Sequence, residues 1–155
     1  MVGYDGGLVG DGLSIEIIWF DQHVVEVFVA CSNGHFSGGA AMYIGHEELG
    51  ELAEALKGFP AQTSDALSIE LGTFIPNTAG GGFQVHFSCI DGAGHVHAQV
   101  RLQGELGDTT GSGESVSLLL PVEAHGIDSF VHELTGIMNK PLMRAHLPVA
   151  GRNSA

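Results

Sequence analysis

GFQVHFSCIDGAGHVHAQVRLQGE, residues 82–105, decides the fold. Phe83, Val85, Phe87 and Cys89 alternate with polar residues, and so do Val96, Ala98, Val100 and Leu102. That period of two belongs to strands with one buried face. Asp91-Gly92-Ala93-Gly94 between them supplies turn chemistry. Pairing Phe87 with Ala98 closes an antiparallel hairpin with both apolar sets on one side. The same register sets His86 opposite Gln99 and Ser88 opposite His97, with His95 two residues along.

Upstream, Leu13, Ile15, Ile17 and Trp19 alternate, as do Val25, Val27, Val29 and Cys31. Asp21-Gln22-His23 turns between them, pairing Ile17 with Val27 and Ile15 with Val29. Asn33-Gly34 reads as a type I′ turn. It predicts Cys31 opposite Phe36, Val27 opposite Ala40 and Val25 opposite Met42. From Gly45 to Gly58 the period becomes helical, with Leu49, Leu52, Ala53 and Leu56 on one face. Glu47, Glu48 and Glu51 stand in the early turns, where acids suit the helix dipole. Ala66–Phe74 and Val116–Val122 read as strands. A terminal helix within 121–139 carries the stripe Ile127, Phe130, Val131, Leu134 and Ile137.

The expected fold is therefore α+β in the order β-β-β-α-β-β-β-β-α, an antiparallel sheet of about seven strands with two helices packed on it. The expected organisation is a flexible lead-in over 1–12, one domain over 13–139 and a loosely held tail over 140–155. The loop from Gly104 to Glu114 reads as mobile. The outer side of the first three strands is unusually apolar, with Ile18, Phe20, Val24, Phe28, Ala30 and Tyr43 beside Glu16 and Glu26. Either the terminal helix covers it, or it joins two copies in a homodimer.

Composition narrows the function. The chain has 155 residues, 44% of them hydrophobic, enough for a real core. Eighteen acids against five bases leave a net charge of −13. Such a field repels nucleic acid and anionic membranes. It favours a basic protein partner, cations, or solubility alone. Nine histidines make that charge strongly pH-dependent. Cys31 and Cys89 read as free thiols buried on strand faces, in a reducing compartment. Met1–Gly12 has neither a basic region nor an apolar core, so a cytoplasmic protein is expected.

No phosphate-binding GxxxxGK[ST], no GxGxxG after a strand, no GxSxG and no HExxH is present. Gly80-Gly81-Gly82 is followed by neither a helix nor a lysine and reads as a loop. The remaining constellation is His86, His95 and His97 on the outer face of the hairpin. Imidazoles ligate zinc, copper or nickel, and a His-x-His strand with a third His from its neighbour suits a divalent transition metal. The competing readings of this face are a solvated polar surface and a partner-binding surface. Ser88 beside His97 is the one nucleophile–base pair the register suggests, and no third group orients it. A small hydrolase is thus an alternative reading, and no cofactor or catalytic residue is assigned.

Three segments, VEVFVACSNGHFSGGAAMYIGHEELGELAEALKGFP (25–60), GGGFQVHFSCIDGAGHVHAQVRL (80–102) and SVSLLLPVEAHGIDSFVHELTGI (115–137), resemble a family of small uncharacterised bacterial domains. In size, layout and acidity the chain is similar to immunity proteins of bacterial toxin systems. The resemblance transfers no activity and no site residue; the missing catalytic motifs and the net charge of −13 are what point to a non-enzymatic interaction protein.

Overall fold

The computed structural model describes residues 10–106, 113–137 and 144–151. The strands are β1 (Gly12–Phe20), β2 (Val25–Ser32), β3 (Ser37–Ile44), β4 (Ala66–Gly72), β5 (Gly82–Cys89), β6 (His95–Gln103), β7 (Ser115–Glu123) and β8 (Arg144–Pro148). Helix α1 (Glu48–Leu56) follows β3, and α2 (Ala124–Ile137) follows β7. The fold is α+β, but its strands form two four-stranded antiparallel sheets, β3-β2-β1-β8 and β4-β5-β6-β7, rather than a single seven-stranded one.

Dimensions explain the split. Seven strands side by side would span about 33 Å at ~4.8 Å each. Two helices aligned with the strands, each about 10–12 Å across, would cover only about 20–24 Å of that width. The two sheets instead bury their inner faces in one shared core, which the apolar stripes of both helices complete. Phe83, Phe87, Phe130, Leu120 and Leu134 are among its largest fully buried side chains.

β3 is the junction. Gly38 lies against Val116 at the start of β7, Ala40 against Gly81 at the mouth of β5, and Met42 against Gly72 at the end of β4. One strand of the first sheet thus runs across the strand ends of the second. The Gly81 amide donates to the Ala41 carbonyl at 2.9 Å, fastening the crossing.

Four sequence expectations need correction. Across the Asn33 turn, Val27 pairs with Met42 and Val25 with Ile44, two residues away from the expected register. Asn33 Oδ1 accepts from the amides of both His35 and Phe36, and Asn33 N–H bonds Phe36 O, which makes a wider loop. The even shift keeps Ala40 and Met42 inward, but Phe36 is 66% exposed. Second, the β1–β2 register shifts between Ile17 and Trp19. This bulge turns Trp19 outward, where strict alternation had placed it in the core. Third, residues 144–148 of the expected tail form β8, which completes the first sheet beside β1. Fourth, Cys89 is only half-buried, while Cys31 is buried as expected and its thiol is pushed up to about 12 by that burial. Residues 1–9 of the expected lead-in and most of the expected mobile loop lie outside the described residues.

α2 does not lie on the outer face of the first sheet. Its apolar stripe enters the shared core, and Glu133 accepts the backbone N–H of His146 at the free edge of β8. No helix among the described residues is long and apolar enough to cross a membrane.

Candidate functional site

The outer face of the second sheet carries the histidines where the hairpin register puts them, with His86 opposite Gln99 and Ser88 opposite His97. The neighbouring strands then take the histidines in different directions. His86 Nδ1 shares a 2.7 Å hydrogen bond with Ser68 Oγ on β4. His95 turns to the hairpin tip, with Nδ1 2.6 Å from Asp91 Oδ2 and Nε2 3.9 Å from Glu123 on β7. His97 stands opposite Pro121 on β7. Among the described residues, no three histidine, cysteine or acidic side chains are grouped so as to hold a metal ion.

Ser68–His86 is thus the serine–histidine pair this face makes, and Ser88–His97 are only cross-strand neighbours. Sequence reasoning missed it because nothing in residues 66–74 names the strand they pair with. Both groups are exposed on a flat strand surface. A hydroxyl–imidazole bond there is an ordinary cross-strand polar pair.

Asp91 organises the tip. Its Oδ1 accepts from the amides of Ala93 and His95, and its Oδ2 bonds the His95 ring. These bonds, the ring bond foremost, hold the Asp91 carboxyl below its ordinary value. The same hydrogen bond, with the charges of Asp91 and Glu123, holds His95 above 6.5. The raised histidine contributes stability below the unfolded histidine pKa and loses it as pH rises through the folded one. The lowered carboxyl contributes above the unfolded aspartate value and loses it as pH falls through the folded one. The pair therefore helps between the carboxylate and histidine ranges. We expect Asp91→Asn to bring the His95 pKa down toward 6.5 in an NMR titration. An unmoved His95 would show that Asp91 does not hold it.

The charge is concentrated elsewhere. α1 begins at the end of β3 because Glu48 Oε2 accepts the Gly45 amide at 2.7 Å, closing the first turn. Leu49, Leu52, Ala53 and Leu56 face the core, which leaves Glu47, Glu51 and Glu54 to the outside. A groove of about 520 Å³ between α1 and α2 is lined by these three, Gly50, Ala53 and Thr135. A second, of about 210 Å³, runs between α1 and β4 and is lined by Glu48, Glu51 and Glu70 among others. No lysine or arginine among the described residues pairs with Glu47, Glu51 or Glu54; Arg144 is held by Glu16 on the first sheet at 2.8 Å. Sequence periodicity identifies the acidic side of this helix. It cannot identify the grooves, whose other walls come from residues far along the chain.

The chain matches no protein-family model, no curated protein and no solved structure.

Proposed function

We propose that the protein is a non-enzymatic binding protein, immunity-like in its size and acidity, that receives a basic segment of a partner protein along α1. The observation that carries this reading is α1 itself, a line of carboxylates with a groove on each side and, among the described residues, no lysine or arginine paired with Glu47, Glu51 or Glu54. Close charges that meet a complementary partner speed its encounter and select it over others. The net charge of −13 extends the attraction.

The test is calorimetric titration with a hexa-arginine peptide at low and high salt. We expect Glu51→Gln with Glu54→Gln to weaken binding about tenfold, from two surface charges each contributing ~0.5–1 kcal/mol. The pair Glu114→Gln and Glu123→Gln, neither of which lines a groove beside α1, removes the same charge elsewhere and should weaken it less than about threefold. Equal losses would mean that the peptide senses net charge alone, and the reading would fall.

A further inference from the structure

At the end of the first sheet where α1 begins, three side chains form one row across three strands. The bulge in β1 sets Trp19 opposite Glu26, and Glu26 stands opposite Tyr43 on β3. Neighbouring strands are ~4.8 Å apart, so the two aromatic residues stand about 10 Å from each other with a carboxylate between them. Trp19 is 48% and Tyr43 41% exposed, while Glu26 is half-buried. We propose that this row grips one arginine or lysine side chain of the basic partner, the cation lying on Glu26 between the faces of Trp19 and Tyr43. The proposal rests on the reading of α1 as the track for that partner.

The chemistry of the three groups agrees. Aromatic faces attract cations, with tryptophan the strongest, and guanidinium stacks on them. A carboxylate between two rings adds charge where a neutral ligand would gain nothing. No lysine or arginine among the described residues occupies Glu26. The carboxylate of Asp21 lies at the adjoining turn and is held in its charged form by the amides of His23 and Val24.

The row is also held in place. A bulge re-aims a strand residue, and here it brings Trp19 out of the core pattern onto the face that Glu26 and Tyr43 share. Behind Tyr43 the backbone of Gly80 comes so close that a Cβ there would sit 3.0 Å from the ring. The Gly80 amide is in turn fixed by Glu105 at 2.9 Å. A ring braced in this way loses little freedom when a ligand stacks on it.

The row and the helix lie at the same end of the molecule. Tyr43 precedes Glu47 by four residues, and His46 Nε2 is 2.6 Å from the Asp21 carbonyl, tying the entry of α1 to the β1–β2 turn. A basic segment leaving the α1 groove reaches the row without crossing the molecule.

Trp19 is the only tryptophan of the chain, so its emission reports this site alone. The experiment is titration of the whole protein with hexa-arginine, followed by Trp19 fluorescence and by calorimetry in parallel. We expect a saturable change in emission with the calorimetric Kd. Glu26→Gln and Tyr43→Ala should each weaken binding about threefold to fivefold, and Tyr43→Phe, which keeps the ring, should bind as the parent does. Circular dichroism melts identify any variant that has lost its fold. Binding that Glu51→Gln with Glu54→Gln weakens, but that leaves Trp19 silent and ignores Glu26→Gln and Tyr43→Ala, overturns the row and leaves the α1 reading standing. No binding of the peptide at all overturns both.

Discussion

Replacing Phe87 by alanine should lower the unfolding free energy by about 3–5 kcal/mol. That is a large share of the ~5–15 kcal/mol by which a domain of this kind is stable. Phe87 is fully buried, and its ring lies 6.1 Å from that of Phe59, centroid to centroid, at a tilt of 58°. Its strand partners are Leu67 on β4 and Ala98 on β6. Ala98 has no side chain to swing into a void, and Phe59 is anchored by its own amide to the Leu56 carbonyl at the end of α1. The cavity therefore stays largely open, and the loss of transferred surface and the loss of packing add. Phe87→Leu keeps most of the volume and should cost less than about 1.5 kcal/mol. Urea unfolding checks both, read as a shift in midpoint at constant slope. A loss below about 1.5 kcal/mol for the alanine variant would mean that the core closes over the gap.

The hairpin that holds Phe87 was legible because its two apolar sets leave one register in which they share a face, and that register is the one observed. The β1–β2 pairing up to Ile17 was legible for the same reason. Trp19 was not. A bulge inserts one residue into a strand and flips everything beyond it, and no turn residue marks it in IEIIWF. The Asn33 loop misled in a different way. Asn-Gly is a strong signal for a two-residue turn, yet here the asparagine side chain bonds forward to His35 and Phe36, and its Nδ2 donates to Leu119 O across the molecule. The forward bonds of the asparagine side chain, not its tolerance of positive φ, shape the loop.

The division into two sheets was hidden because both have the same period. Nothing in the strands alone says whether β3 and β4 pair side by side or cross. β8 was hidden by its length, five residues with only Ala145 and Leu147 buried. For the candidate surfaces, strand parity was enough to gather the histidines on one face, and helix parity was enough to place the glutamates. What parity cannot supply is a partner from a distant element. Ser68 for His86, Glu123 for His95 and Thr135 for the α1 groove all come from elements whose neighbours only the tertiary structure sets.

Gly81→Ala tests the junction on which that tertiary arrangement depends. A Cβ at Gly81 would lie 2.2 Å from the Gln103 carbonyl oxygen, and 3.3 Å from both the Ala40 side chain and the Ala41 carbonyl oxygen. Two of these three neighbours are backbone oxygens, so no rotamer change relieves the clash. Gly81 also donates to Ala41 O and accepts from Thr73 N–H, each at 2.9 Å, so moving it away breaks the bonds that tie β3 and the end of β4 to the mouth of β5. The expected cost is about 3 kcal/mol, the upper end of what overpacking does. At this chain length that lowers the melting temperature by about 6–12 °C. Gly136→Ala is the control. It sits in α2, a Cβ there meets nothing within 4 Å, and the better helix propensity of alanine should raise stability by up to about 1 kcal/mol. The junction strand carries Tyr43 and leads directly into α1, so a loosened crossing should also disturb the aromatic row and the entry of the acidic helix. Gly81→Ala is therefore expected to weaken hexa-arginine binding at temperatures where it is still folded, while Gly136→Ala leaves binding unchanged. A Gly81→Ala protein as stable as the parent would mean that the second sheet shifts to admit the methyl group, and that β3 is not the fixed crossing between the two sheets.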